Sequence, residues 1–340
     1  MKWISDAGIA RLRAGMEEPD LTGTKYRLRS LLSRGGMGAV YLVDDLELER
    51  TVALKLLALP DPTPEDLARL TQEARILAQL EHPGIVPIHD VGSLADGRLY
   101  YVMKWVRGVR LDARMPVSLE EAVSIVERLC EAVAFAHAHG VIHRDLKPEN
   151  VMVGEFGEVL VLDWGVAKVR PQVDARPERT AALGTPASPA SPPSLPNGAG
   201  TQPGTILGTP GYMAPEQERG EDAGPATDVW GLGALLHYLL SGSPPPRDPA
   251  ERGGSLPPSV PRPLASIVRK ALAPTPEARF AGALEVRDDL LRFRAREPVT
   301  AHRESLFERI ARLAGKYRTP ILIIVAYLVM RAALILWLRR

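Results

Sequence analysis

The chain has 340 residues, of which 45% are hydrophobic, which is too long for one small domain and suits a two-lobed enzyme domain with additional segments. Its formal net charge of +1 does not point to nucleic acid as a partner. The chain has a single cysteine, Cys130, which excludes an internal disulfide and favours a reducing compartment. Because Cys130 lies within an apolar helical pattern, we expect a buried thiol rather than a reactive one.

The N-terminal third predicts a sheet with one helix. Residues 1–24 form a charged extension without the apolar stretch of a signal peptide. From Tyr26 onward, β-branched and aromatic runs are separated by turn residues. Strands are predicted at 26–28, 39–43, 51–57, 85–88 and 99–103, and a helix that Thr63 can cap is predicted at 63–80.

The remaining sequence predicts a mainly helical region. Ser118 and Glu121 fit a capping box at the start of a helix that Gly140 ends. Short strands are predicted within 142–163, and helices at 228–240, 263–273 and 281–295. Residues 170–207 are rich in Pro, Ala, Ser, Gly and Thr without apolar periodicity, so a disordered insertion is predicted there.

A glycine cluster and a strand lysine are the first candidate nucleotide-binding features. Ser33-Arg34-Gly35-Gly36-Met37-Gly38 lies between two predicted strands, where glycines let backbone N–H groups approach phosphates. An ordinary glycine-rich hairpin turn is the alternative. Lys55 lies in the next apolar strand, and an ion pair with Glu73 would hold it toward the α- and β-phosphates. A gatekeeper lysine at a strand edge and a solvated helix glutamate are the alternatives here.

The most specific motif is His143-Arg144-Asp145-Leu146-Lys147-Pro148-Glu149-Asn150, which matches the kinase catalytic-loop pattern H-R-D-L-x-x-x-N at each fixed position. Asp163-Trp164-Gly165 follows it, and then Gly208-Thr209-Pro210-Gly211-Tyr212-Met213-Ala214-Pro215-Glu216. With these motifs in this order over residues 25–295, the chain resembles the eukaryotic-like serine/threonine protein kinases of bacteria.

The resemblance implies an α+β, two-lobed protein kinase fold in residues 25–297, with a sheet-rich N-lobe at 25–106 and a helical C-lobe at 107–297. The implied reaction is transfer of the ATP γ-phosphate to serine or threonine hydroxyls of proteins in signal transduction, with autophosphorylation in the activation segment.

The resemblance also assigns roles to individual residues. Asp145 is implied as the catalytic base, Lys147 as the contact to the γ-phosphate, and Asn150 and Asp163 as ligands of Mg²⁺, with Mn²⁺ as an alternative. Lys55 and Glu73 complete the catalytic set. The ATP site is implied at Ser33, Gly35, Gly36, Gly38, Val40, Ala53, Lys55, Met103, Lys104, Val106 and Met152. Packing and anchoring roles are implied for Leu77, His143, Trp164, Asp228 and the ion pair of Glu216 with Arg279.

The sequence departs from the family pattern in three places. Ser33 replaces the first glycine of the phosphate loop, and Trp164 replaces a phenylalanine, so its indole N–H needs a partner if it is buried. The insertion at 170–207 lengthens the activation segment, where Thr201 or Thr205 is predicted to be autophosphorylated and to pair with Arg144. A passive linker is the alternative for this insertion.

The C-terminal segment is predicted to anchor the chain. Residues 320–338 are apolar except for Arg331, and the summed insertion free energy of the apolar residues narrowly exceeds the cost of this arginine. We therefore expect a basic juxtamembrane segment at 298–319 and a transmembrane helix at 320–338. The protein would then cross the cell membrane once, with its kinase domain in the cytoplasm and no sensor domain on the outside. An interfacial helix and a dimer-forming tail are the alternatives.

Two other functions remain open from the sequence. A pseudokinase would bind nucleotide without turnover, although retention of the full catalytic set argues against it. A small-molecule kinase is disfavoured by the segment 208–216, which resembles a platform for protein substrates. The partners implied are therefore protein substrates, ATP, the membrane and, as an open alternative, a second copy of the chain; nucleic acid is not implied.

Overall fold

The structure, a computed structural model, describes residues 18–35, 38–57, 64–164, 211–248, 256–306, 308–310 and 318–338. These residues form an N-lobe with a five-stranded sheet and one helix, followed by a C-lobe with several helices and a three-stranded sheet. The predicted two-lobed architecture is therefore confirmed.

The N-lobe sheet is antiparallel throughout and has the strand order β1-β2-β3-β5-β4. Helix α1, Pro64–Ala78, connects β3 to β4 along the chain. The strands are β1 Tyr26–Gly35, β2 Gly38–Asp45, β3 Arg50–Leu57, β4 Ile88–Ser93 and β5 Leu99–Lys104.

Side chains alternate between the two faces of this sheet, because successive residues of a strand point to opposite sides. One face forms the N-lobe core with Tyr41, Leu54 and Val102. The other face turns toward the C-lobe, since Lys55 on it reaches Asp163. The strand positions that alternate onto this second face include Val40, Ala53, Lys55, Tyr101 and Met103.

The fourth strand lies further along the chain than predicted. Residues 85–88 were expected to form it, but the strand begins at Ile88 and continues to Ser93. Ile85 instead forms a parallel bridge with Val161, and Val86 packs in a small cluster between the lobes. Pro87 has no N–H to donate to a ladder, which explains why the apolar run does not continue as a strand.

The C-lobe begins with a small antiparallel sheet of β6 Gly108–Arg110, β7 Val151–Gly154 and β8 Val159–Val161. One half of the predicted capping box is confirmed, because the Ser118 hydroxyl accepts a hydrogen bond from the Glu121 N–H at 3.1 Å, whereas the Glu121 carboxylate accepts from Arg114. The α-helices that follow α1 in the described part of the chain are α2 Leu119–Ala138, α3 Pro215–Glu218, α4 Pro225–Ser241, α5 Arg262–Ala271, α6 Ala283–Arg294 and α7 Arg318–Leu338.

The C-lobe core is built around α2 and α4, which bury apolar side chains on most of their surface. Cys130 of α2 is fully buried, and burial raises the pKa of its thiol. The prediction that this cysteine is buried is therefore confirmed. β7 and β8 contribute Val151 and Val161 to the same core, which fixes the loops at their ends against a rigid base.

The predicted transmembrane helix at 320–338 is wrong, because the described residues contain no helix that is long and apolar enough to cross a membrane. Arg331 divides the apolar run into 321–330 and 332–338, and each part is shorter than the about 20 residues that a span requires. The insertion predicted at 170–207, most of the N-terminal extension and part of the segment at 298–319 lie outside the described residues.

Candidate active site

A buried carboxylate anchors the loop that carries His143, Arg144 and Asp145. Asp228, near the start of α4, accepts hydrogen bonds from the backbone N–H of His143 at 2.8 Å and of Arg144 at 2.7 Å. The ring of His137 contacts the same carboxylate at 2.7 Å. Arg144 has a φ of +68°, a conformation that costs free energy for a residue with a Cβ. The bonds to Asp228 hold the loop in this conformation.

Asp145, Lys147 and Asn150 form one hydrogen-bonded group at the end of this loop. The Asp145 carboxylate lies 2.6 Å from the Lys147 ammonium. The Asn150 amide nitrogen donates to the Asp145 backbone oxygen at 2.8 Å and to its carboxylate at 3.1 Å. These contacts fix the direction of the carboxylate, whose side chain is a quarter exposed.

His143 connects this loop to the segment that carries Asp163. Its Nδ1 accepts a hydrogen bond from the Asp145 N–H at 3.2 Å, and its Nε2 lies 3.0 Å from the Leu162 carbonyl oxygen. An imidazole with the proton on Nε2 satisfies both contacts. Because the ring is buried, it holds the two segments at a fixed separation.

Trp164 has the partner that its burial requires. The indole N–H donates to the Val161 carbonyl oxygen at 3.2 Å, and the ring packs edge-on against His143 with a centroid separation of 4.9 Å. Leu77 of α1 and Trp164 line one common pocket. The structure therefore brings the three predicted packing residues, Leu77, His143 and Trp164, to one place between the lobes.

Replacing Trp164 with phenylalanine is expected to lower the free energy of unfolding by about 1 kcal/mol, because one hydrogen bond is lost while an aromatic ring remains. Trp164→Ala would also leave a cavity and is expected to cost about 3–5 kcal/mol. Urea unfolding of the two variants beside the wild type checks this order, and equal losses would contradict a separate contribution from the ring.

Lys55 and Asp163 meet across the cleft. The Lys55 ammonium lies 2.6 Å from the Asp163 carboxylate, and the lysine side chain is almost fully buried. Asp163 has a φ of +47°, a second strained backbone conformation at the candidate site. The side chain of Glu73 lies outside the described part of the structure, so its ion pair with Lys55 stays a prediction.

The predicted adenine-binding residues line the inner side of the connection between the lobes. Ala53 of β3 is paired with Met103 of β5 in the sheet. Met103 and Met152 both pack against the apolar cluster of Val86, Val106 and Leu160. Residues from both lobes thus form one apolar surface of the kind that receives a planar ring.

The glycine-rich hairpin forms one edge of the cleft. Ser33 is paired with Val40, which is paired in turn with Lys55, so the hairpin lies beside the lysine in the sheet. Gly38 has a φ of +134°, a conformation that favours glycine. Gly35 is paired with Gly38, and Gly36 lies outside the described residues. Lys104, at the end of β5, is exposed and donates its backbone N–H to Pro87.

The donor set at the cleft suits a divalent cation held together with phosphates. Asn150 uses its amide nitrogen for Asp145, so its amide oxygen is the group that could bind a cation, and Asp163 offers carboxylate oxygens. The described residues contain no cluster of three or more His, Cys, Asp or Glu that would form a closed metal site. Mg²⁺ is usually bound by one or two protein groups with phosphates and water, which is what these two residues provide.

A buried ion pair braces the C-lobe side of the site. Arg279 donates to both carboxylate oxygens of Glu216 at 2.7 Å, and Thr227 donates to one of them at 3.0 Å. Burial is the largest single influence and would raise the pKa of Glu216, but the hydrogen bonds from Arg279, the backbone and Thr227, together with the charge of Arg279, outweigh it and hold the pKa below its ordinary value. The next residue, Gln217, donates to the Arg144 carbonyl oxygen at 2.8 Å and so connects this pair to the catalytic loop.

The sequence interpretation missed three residues that the structure places around the site: His137, Gln217 and Tyr101. His137 and Gln217 contact the catalytic loop from distant parts of the chain, and no local pattern signals this. Tyr101 is different, because strand alternation from Met103 already places it on the face of Lys55.

Comparison with known proteins gives consistent results. A model of the protein kinase domain matches residues 26–280. The chain is 34% identical to serine/threonine-protein kinase PknD of Chlamydia trachomatis serovar D over 336 residues, which cover 88% of this chain and 34% of that protein. It is 33% identical to serine/threonine-protein kinase PknB of Mycolicibacterium smegmatis over 302 residues, 82% of this chain and 44% of that protein. It thus spans less than half the length of these relatives.

A solved structure extends the likeness to the fold. The crystal structure of the Mycobacterium tuberculosis PknI kinase domain superposes with a TM-score of 0.57 and 26% sequence identity, covering 79% of this chain and 96% of that domain. The family model covers most of the chain, and the relatives it matches are serine/threonine kinases with bacterial sources. The family predicted from the sequence is confirmed: this chain belongs to the protein kinase family, on its eukaryotic-like bacterial serine/threonine branch.

Proposed function

We propose that this chain transfers the γ-phosphate of ATP to serine and threonine hydroxyls of protein substrates, with Mg²⁺ as the divalent cation. The observation that carries this proposal is the convergence of two charged groups between the lobes. Lys55 and Asp163 form one group, and Asp145, Lys147 and Asn150 form the other. His143 fixes the distance between them.

Each group has a distinct chemical task in this proposal. Lys55 binds the α- and β-phosphates from the N-lobe side, where its ammonium is nearly dry and its attraction to an anion is strong. Lys147 approaches the γ-phosphate. Asp145 orients the substrate hydroxyl and accepts its proton as the hydroxyl oxygen bonds to the γ-phosphorus and the bond from that phosphorus to the bridging oxygen breaks, with ADP as the leaving group. Asn150 and Asp163 would hold the cation, which neutralises phosphate charge when bound.

The apolar surface described above sets the nucleotide in place for this transfer. Ala53 and Met152 approach the adenine ring from the two lobes, and the backbone that follows Met103 offers hydrogen-bonding groups at its edge. The pseudokinase is the second candidate. The presence of a base, a lysine and two oxygen donors in one cleft favours turnover over binding alone.

The test is incorporation of labelled phosphate from ATP with Mg²⁺ into the full chain and into a generic basic protein. Labelled serine and threonine residues that disappear in Asp145→Asn would support the proposal. Metal-dependent nucleotide binding with no incorporation would support the pseudokinase instead. Labelling of small molecules alone would support a small-molecule kinase.

We also propose that Thr201 or Thr205 is autophosphorylated and pairs with Arg144. Both threonines lie outside the described residues, and the proposal is supported by their position before the motif at 208–216. Phosphopeptide mapping of the active chain should find one of them modified, and Thr201→Ala with Thr205→Ala should lower activity. An active chain with both unmodified contradicts this assignment.

Compartment and oligomeric state are further proposals. The requirement for ATP and the single, buried thiol of Cys130 support a cytoplasmic kinase domain in a reducing compartment. A homodimer, which the sequence left open, is tested by measuring the mass of the full chain in solution with and without nucleotide.

A further inference from the structure

A buried histidine in the last part of α4 holds the turn that follows this helix. His237 is buried, and its Nδ1 lies 3.0 Å from the Ser243 carbonyl oxygen and 3.2 Å from the Ser241 hydroxyl. Because a carbonyl oxygen can only accept a hydrogen bond, Nδ1 carries the proton and donates it to Ser243. The ring therefore binds the chain at a point two residues beyond the end of the helix.

The turn between α4 and Pro244 is closed by its own hydrogen bonds as well. The Ser241 hydroxyl accepts a hydrogen bond from the Ser243 N–H at 3.2 Å and lies 2.8 Å from the His237 carbonyl oxygen. Gly242 ends the helix with a φ of +78°, a conformation that favours glycine. With His237 on its inner side, the turn has a defined conformation, and this fixes where Pro244 lies.

Pro244 lies directly against the beginning of the segment 211–217. A Cβ added to Gly211 would lie only 2.9 Å from the Cβ of Pro244, and Gly211 has a φ of +108°, so this position requires glycine. The next residue, Tyr212, meets Tyr238 of α4 edge-on, with a ring centroid separation of 6.3 Å. The helix and its turn thus support this end of the segment from two sides.

The other end of the segment 211–217 contacts the catalytic loop. Gln217 donates to the carbonyl oxygen of Arg144 at 2.8 Å, and Arg144 directly precedes Asp145. A serine or threonine hydroxyl that reaches Asp145 brings its flanking residues with it, and these must bind to the surface beside the loop. ATP does not need this surface, because Lys55 and the apolar surface between the lobes hold it on the other side.

We propose that His237 is a positioning residue for the protein substrate, which holds the turn at 241–244 and thereby the segment 211–217 in the conformation that binds the residues flanking the substrate hydroxyl. This inference rests on the proposed function and deepens it, because it concerns the binding of the protein rather than of ATP. A surface that is already held in its binding conformation loses less conformational freedom when the substrate arrives, so the substrate binds more tightly.

The test compares His237→Phe, His237→Asn and His139→Phe in the full chain. Phenylalanine keeps a ring but cannot donate, whereas asparagine carries an amide N–H in about the place of Nδ1. His139 is the matched control, because its Nδ1 also contacts a backbone carbonyl oxygen, that of Phe135 at 2.8 Å, but at the exposed end of α2. The KM of a generic basic protein and the KM of ATP are measured from incorporation of labelled phosphate, and thermal unfolding is recorded for each variant.

In His237→Phe, we expect the KM of the basic protein to rise about fivefold, the effect of losing one hydrogen bond. The KM of ATP should stay within about twofold of the wild type, because the nucleotide does not contact the segment 211–217. His237→Asn should restore most of the loss, since it keeps the donor. His139→Phe should leave both KM values within about twofold of the wild type.

Three results would overturn the proposal: an unchanged KM of the basic protein in His237→Phe, equal increases in the two KM values, or the same loss in His237→Asn as in His237→Phe. If His237→Phe does not fold, Ser241→Ala replaces it, because it removes the hydroxyl that closes the turn at a half-buried position. That variant should also raise the KM of the basic protein alone, and an unchanged value rejects the role of the turn. A wild type that incorporates no phosphate overturns the proposed function instead, before any variant is compared.

Discussion

Replacing Asp145 with asparagine is expected to lower kcat by about 10²–10⁴-fold, the contribution of a general base, while the KM for ATP changes little. An amide cannot accept the proton of the substrate hydroxyl. The substitution keeps the size of the side chain, and the Asn150 amide still reaches the Asp145 backbone oxygen at 2.8 Å. Initial rates at several ATP concentrations would separate the effect on kcat from the effect on KM.

The matched control is Asp222→Asn, which makes the same chemical change at an exposed position ahead of α4. Its kcat should stay within about twofold of the wild type. Nucleotide binding and thermal unfolding of Asp145→Asn should also be retained, which shows that the loss is chemical. A kcat of Asp145→Asn near that of the control would exclude Asp145 as the base.

The catalytic loop was accessible from sequence because its residues are contiguous. His143, Asp145, Lys147 and Asn150 lie within one short segment, and their chemistry depends on spacing that can be seen in the chain. The structure adds the hydrogen bonds that fix them, such as that of Asn150 to Asp145. The strand lysine was predicted for a similar reason, since a charge within an apolar run is conspicuous.

The contacts that join distant segments were less accessible. Ion pairs and hydrogen bonds such as those of Gln217 with Arg144 and of His137 with Asp228 depend on the packing of helices that no local pattern fixes. The pairing of Glu216 with Arg279 came only from the family resemblance. The apolar run at 85–88 predicts the fourth strand too early in the chain, because Ile85 and Val86 fill the space between the lobes instead.

The error at the C-terminus has a different cause. Over residues 320–338, the summed insertion free energy of the apolar side chains exceeds the cost of Arg331 only narrowly. Two opposing terms of similar size leave a small difference, and a small difference is a weak basis for assigning a span. The kinase motifs specify the family more strongly, because several independent motifs agree in type and in order along the chain.

The ion pair between Glu216 and Arg279 carries the largest expected effect on stability. Replacing Glu216 with alanine is expected to lower the free energy of unfolding by about 3–5 kcal/mol, because it leaves a buried cation without its partner. The Arg279 side chain is 0% exposed, and among the described residues the carbonyl oxygens of Ala226, Ala273 and Pro274 would remain as its acceptors. Urea unfolding measures the change, and Tm should fall by roughly 10 °C.

The chain offers a close control in Glu221→Ala. Glu221 pairs with Arg219 at 2.6 Å, but both side chains are more than half exposed, so the loss should be a small fraction of that in Glu216→Ala. Equal losses in the two variants would show that the buried pair contributes no more than a surface pair. A double variant, Glu216→Leu with Arg279→Met, should recover much of the loss, because it removes the unpaired charge as well as the pair.

Acid should reproduce part of this loss in the wild type. Burial opposes the charge of Glu216, but Arg279, the backbone and Thr227 together hold its pKa below the ordinary value of 4.5, so the folded state favours the charged carboxylate. The stabilisation is complete above pH 4.5 and is lost as the pH falls through the lower pKa of the folded protein. Glu216→Ala should lack this component, so the stabilities of the two proteins converge on acidification. A difference that stays constant with pH would show that the charge of Glu216 does not contribute. Gln217 connects the Glu216–Arg279 pair to Arg144, so loss of this ion pair should also make the loop that carries Asp145 less rigid.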